Sequence, residues 1–140
     1  MSATSANIAG LIGGSSLGWT PATNMFTGGL RDGDSLPDMQ LGVTLYSGTA
    51  DETFTKSDMR PQAQVMLRGD RDSFNAAEKK AYDLWAFLAN VRNVSVPTTV
   101  SGQTVGPVVI QALTPSGTVN PLGQDDHQRS LFSMNFTVTV

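Results

Sequence analysis

Between Arg60 and Asn90 the chain changes its period once, and that change constrains the fold more than any other feature. In RPQAQVMLRG, Ala63, Val65 and Leu67 alternate with Gln62, Gln64, Met66 and Arg68, the period of a strand with one buried face. Pro61 removes a ladder donor near the start, which is tolerated at a strand end or a sheet edge. In DRDSFNAAEKKAYDLWAFLAN, Phe74, Ala77, Ala81, Leu84, Trp85 and Leu88 fall on one helical stripe, about 100° wide. Asp72 or Ser73 is placed to cap that helix, and Glu78, Lys79, Asp83 and Asn90 fall on its opposite side. Phe87 lies off the stripe, so either a loop or a neighbouring subunit has to cover it.

Other strands must join this unit. The closing LFSMNFTVTV alternates Phe132, Met134, Phe136, Val138 and Val140 with Ser133, Asn135, Thr137 and Thr139. Its polar face is either solvated or turned to a neighbour. Met39, Leu41, Val43 and Leu45 alternate with Gln40, Gly42, Thr44 and Tyr46, and a less regular candidate runs from Val105 to Leu113. Near the start, Ile8, Leu11 and Ile12 share one helical face, with Thr4 or Ser5 to begin a short helix and Gly13-Gly14 to end it; a loosely held arm is the alternative. Turn-rich segments at 15–37, 47–59 and 114–130 read as long loops. The expected architecture over residues 1–140 is a single α+β domain of two layers. It has about four mainly antiparallel strands packed by one long helix, plus a short N-terminal helix.

Composition narrows the function more than it assigns it. The 140 residues suit one core, burying roughly two thirds of the surface of the unfolded chain. Charged residues make up only 15% and the net charge is -3, with no cluster of basic side chains to grip nucleic acid. A surface covered by Ser, Thr, Asn, Gln and Gly suits packing against protein. The absence of cysteine excludes a disulfide framework, a thiolate nucleophile and a thiolate-ligated zinc, and accords with a reducing cytoplasm. MSATSANIAGLIGG lacks the basic and apolar regions of a signal peptide or a membrane span, so a soluble chain made in the cytoplasm is expected.

Candidate chemistry is sparse. Asp125-Asp126-His127 joins carboxylates to an imidazole, but no second His completes a ligand set, and a charged turn accounts for the run. DGDSLPD, with Asp32, Asp34 and Asp38, lacks the glycine and terminal Glu of a calcium loop and reads as a turn. GLIGGSS lacks the Lys and the preceding strand of a phosphate loop. We therefore expect no enzyme, no metal and no cofactor. Arg60, Arg68 and Arg129 border strands and either pair locally, with Asp58, Asp70 or Asp126, or reach a carboxylate across an interface.

Three pieces taken together resemble the small tail terminator or tail-completion proteins of long-tailed bacteriophages, often described as minor capsid proteins. The first is the strand from Arg60-Pro61 to Arg68-Gly69 followed by a helix. The second is the loop bearing Pro121, Gly123, Asp125 and Arg129, and the third is the final strand with Phe132, Asn135 and Phe136. The SGTADETFTKSD excursion and the glycines of the N-terminal helix depart from the pattern. The resemblance implies a virion protein of the tail or neck that forms a ring, usually six-membered, capping the tail tube, ending its polymerisation and docking the head-tail connector. DNA would pass through the lumen without sequence-specific binding, and no membrane would be involved. Ring or partner contacts are expected from Trp19, Phe26, Leu30, Phe54, Arg60, Arg68, Asp125 and Arg129. A head-closure or other neck protein is the alternative, and an unrelated soluble binding module a second.

Overall fold

The computed structural model describes residues 4–33, 35–46, 61–96, 99–100, 103–104 and 108–140. In chain order the elements are α1 (Ser5–Gly13), β1 (Met25–Thr27), β2 (Gln40–Tyr46), β3 (Gln62–Arg71), α2 (Phe74–Ala89), β4 (Arg92–Val96), β5 (Thr99–Val100), β6 (Gln103–Thr104), β7 (Val108–Pro115), β8 (Asn120–Gln124) and β9 (Arg129–Thr139). This corrects the expected architecture. In place of about four strands under one helix there is a curled seven-stranded sheet in the order β1-β2-β3-β9-β7-β4, with β8 also on β9 and a separate β5-β6 ribbon. The sheet is mixed, because β1 runs parallel to β2 while the other pairs are antiparallel.

The strict alternation of the last strand explains its place as the hub. One edge of β9 pairs with β3 along its length, setting Leu67 opposite Phe132, Val65 opposite Met134 and Ala63 opposite Phe136. The other edge is shared: β7 takes Phe136 to Thr139 and β8 takes Ser130 to Ser133. Between them, Ser116 still donates to the Asn135 carbonyl at 2.9 Å. The chain then leaves the ladder, and the Gly117 carbonyl accepts the Trp85 indole N–H at 3.1 Å. That bond ties the excursion to α2.

Helix α2 packs on β3, β7 and β9 through Ala77, Ala81, Leu84 and Leu88, the inner part of the stripe read from its spacing. Phe74, at the edge of the stripe, is 42% exposed and leans on Phe132 with ring centroids 5.4 Å apart. Gly69 sets the close approach of the helix to β3, since a Cβ there would collide with the Cβ of Ala77. Ser73 stands at the N-cap position but its side chain makes no capping bond.

Helix α1 forms where the sequence places it, from Ser5 to Gly13 with Thr4 at its start and Gly14 at its end, but it is buried more completely than one apolar face implies. Thr4 forms a capping box with Asn7, and every residue from Ala6 to Ile12 is buried, so the helix has no solvent face. It packs on β1 and β2 at one side of the curled sheet, on β4 at the other, and on β5 of the separate ribbon. Small residues, Ala6, Ala9 and Gly10, are what allow so short a helix to fit inside the curl. The opposite face of the sheet carries half-buried Gln62, Gln64, Asn135 and Thr137, with the Tyr46 hydroxyl donating to Gln62 at 2.8 Å.

Candidate functional site

The strongest concentration of charge lies where β3 and β9 meet the turn before α2. Arg68 is the last residue in the regular β3-β9 register, and Arg129 opens β9 opposite Arg71. Both arginines are buried, at 4% and 6% exposure. An unpaired guanidinium there would cost several kcal/mol of desolvation, so their partners decide whether the fold is viable.

Two of the partners, Asp32 and Asp38, come from a loop distant in sequence, and the third, Asp125, from the turn just before β9. Arg68 Nη1 and Arg129 Nη2 both donate to Asp32 Oδ1, at 3.0 and 3.1 Å. Arg129 Nη1 reaches Asp38 Oδ1 at 3.1 Å, and its Nε reaches Asp125 Oδ2 at 2.8 Å. Arg68 also staples the backbone ahead of β2 at Arg31 and Asp38: Nε donates to the Asp38 carbonyl at 2.7 Å and Nη2 to the Arg31 carbonyl at 3.2 Å. Gln40 completes the staple, accepting from Arg31 N at 2.8 Å and donating to the Pro37 carbonyl at 2.9 Å. Asp125 Oδ1 meanwhile accepts the backbone N–H groups of His127 and Arg129, at 2.9 and 3.0 Å, closing the β8-β9 turn.

Two cations and three carboxylates leave this cluster with one net negative charge. The Arg129 hydrogen bond, helped by the field of Arg68, holds the Asp32 carboxyl below the usual carboxylate range against what burial would do. At Asp125 burial pushes upward, but the backbone N–H groups of Arg129 and His127 and the Arg129 guanidinium outweigh it, and the pKa falls. Burial likewise opposes the charge on Arg129, and its bonds to Asp125, Asp32 and Asp38 overcome that and raise its pKa. Carboxylates held ionised in this way are poor proton carriers near neutrality. Among the described residues no group of three or more acidic or His side chains is placed to hold a metal ion.

The structure brings together Arg68, Asp125 and Arg129 from the residues singled out in the sequence. Their carboxylates are Asp32, Asp38 and Asp125, in place of the expected Asp70 or Asp126. Asp58, Phe54 and Arg60 lie outside the described residues. Trp19 is 4% exposed under the Lys80 ammonium, 5.6 Å from its ring, and Phe26 is 6% exposed beneath the Arg31 guanidinium at 4.8 Å. Leu30 is half-buried. Trp19 and Phe26 are thus largely covered by the chain itself.

Sequence reasoning missed a second feature, at the opposite end of α2. Leu11 of α1, Phe87 and Val91 beyond the stripe of α2, and Val94 and Val96 of β4 line an apolar groove of about 540 Å³, with Arg92 beside them. The off-stripe position of Phe87 was its only signal.

The fold and the cluster together are a curled mixed sheet around a buried helix, with Arg68 and Arg129 engaged in fastening loops of their own chain. No protein-family model matches the chain, and no curated protein is significantly similar to it. No helix among the described residues is long and apolar enough to cross a membrane.

Proposed function

We propose that the protein is a structural subunit of a bacteriophage tail or neck, forming a ring, six-membered in the simplest case, that caps the tail tube, stops its growth and receives the head-tail connector. One observation carries this reading: separate motifs that resemble those of tail terminator proteins are physically joined here. Arg68, from the strand that ends in Arg-Gly, and Arg129, from the loop that begins at Pro121, share one oxygen of Asp32. Gly69 of the first motif seats α2, while Phe132 and Phe136 of the third fill the core beneath it. The motifs therefore act as one fastening that ties Arg31, Asp32, Asp38 and Asp125 to the sheet, which supports a subunit that has to present fixed loops to its neighbours. DNA passing through such a ring would meet a chain of net charge -3 and would not be gripped.

The reading is tested by native mass measurement and by tube assembly. A ring of the 14.8 kDa chain that binds tube ends and shortens tubes grown in its presence is the expected result. A monomer with no effect on tube growth would overturn the proposal. Capture on filled heads in preference to tubes would favour a head-closure protein.

A further inference from the structure

We propose that Leu122 of one copy inserts into the groove between α1, the end of α2 and β4 of the next, making a head-to-tail contact. The identity of the partner as a second copy rests on the ring reading above. The two surfaces themselves are visible in the single chain.

Leu122 is made prominent by its backbone. The β8-β9 register steps from Pro121 opposite Phe132 to Gly123 opposite Leu131, so Leu122 is the extra residue of a bulge and has no partner on β9. Gly123 takes a φ of +95°, which turns the strand at that point. The result is a leucine 51% exposed on a strand whose every residue faces solvent. Pro121 and the bulge also spoil this edge for strand addition, which leaves the side chain as what it offers.

The groove is the matching hollow. Its volume of about 540 Å³ is ample for a leucine side chain, its walls are mainly apolar, and Leu122 is not among its own lining residues. Charge also agrees. Among the described residues, Arg92 is the only ionisable one lining the groove. Beside the knob, Asp125 is occupied by Arg129, whereas Asp126 is exposed and forms no ion pair among the described residues. Knob and hollow lie toward opposite ends of α2, so a chain that gives one to a neighbour still has the other to receive the next. Such a heterologous contact closes into a ring when the rotation between copies permits.

The chain has no native cysteine, so engineered thiols report the contact directly. In the full-length double variant Leu122→Cys with Ser95→Cys, an exposed groove position, mild oxidation should give a ladder of disulfide-linked oligomers ending at the ring size, with neither single variant forming it. Leu122→Asp should weaken self-association by about tenfold or more while monomer melting is unchanged, as loss of a buried leucine contact implies. Asp126→Arg and Arg92→Asp should each weaken assembly and together restore it. A native ring that gives no ladder would overturn the contact and leave the ring reading standing. Cross-linking by Leu122→Cys alone would replace it with a two-fold contact. A Leu122→Asp ring that assembles normally but no longer caps tubes would assign Leu122 to the tube. A wild-type chain that stays monomeric at all concentrations would overturn the ring reading and this contact together.

Discussion

The two ends of α2 solve opposite problems. At its start, buried charge is fully answered within the chain: Arg68 and Arg129 hold Asp32, Asp38 and Asp125 and fasten two loops to the sheet. At its finish, Phe87, Val94 and Leu11 enclose apolar space that the described residues do not fill. The charged end therefore contributes mainly to stability, whereas at the apolar end the described residues leave a groove open. Motif residues and contact residues need not coincide.

Both ends share one core, and the largest effects should fall there equally. Phe132 lies in the half of β9 nearer the charged end and Phe136 in the half paired to β7, and each is fully buried. Either Phe→Ala change should cost about 3–5 kcal/mol in denaturant unfolding. A mild loss at one of them would show that the ends are separately stable, breaking the comparison. Next comes Arg129→Met, at about 3 kcal/mol, since it leaves Asp125 and Asp38 without their cation. Arg68→Met should cost less, because Arg129 still holds Asp32. Equal losses would mean that the two arginines do not act through the shared carboxylate. Gly69→Ala should cost about 1–3 kcal/mol by lifting α2 from β3, with Ala77→Gly recovering part of the loss; no recovery would place the strain elsewhere.

Acid should unfasten the charged end first. The carboxyls of Asp32 and Asp125 titrate below their ordinary 3.8 in the folded chain, so their contribution is complete above about pH 4 and is lost as pH falls through the folded values. Asp125→Asn should lower stability at pH 7 and flatten the fall below about pH 4. An unchanged acid limb in that variant would show that Asp125 does not couple to folding.

The central strand, the long helix, β2 and β9 were legible because each carries a clean period over seven or more residues. The number of strands was not. β4 is only Arg92–Val96 with mostly exposed side chains, and β8, Asn120–Gln124, has no buried residue at all, so neither shows the alternation that burial imposes. Their pairing is set by the neighbouring β7 and β9. Helix α1 was visible through its cap, but burial on every side leaves no polar stripe to announce it. The ionic cluster was half legible: Arg68 and Arg129 stood out at strand borders. Asp32 lies 36 and 97 positions from them, and only the β2-β3-β9 pairing brings it there.

The smallest expected effect is the most direct test of the contrast between the ends. Leu122 has no ladder partner and is half exposed, so Leu122→Ser should change stability by no more than about 0.5 kcal/mol. If it destabilises by as much as Gly69→Ala does, Leu122 supports the fold of its own chain. The bulge would then be a structural device of the charged end. If melting is unchanged while the concentration at which the protein assembles rises, the bulge serves the contact between copies.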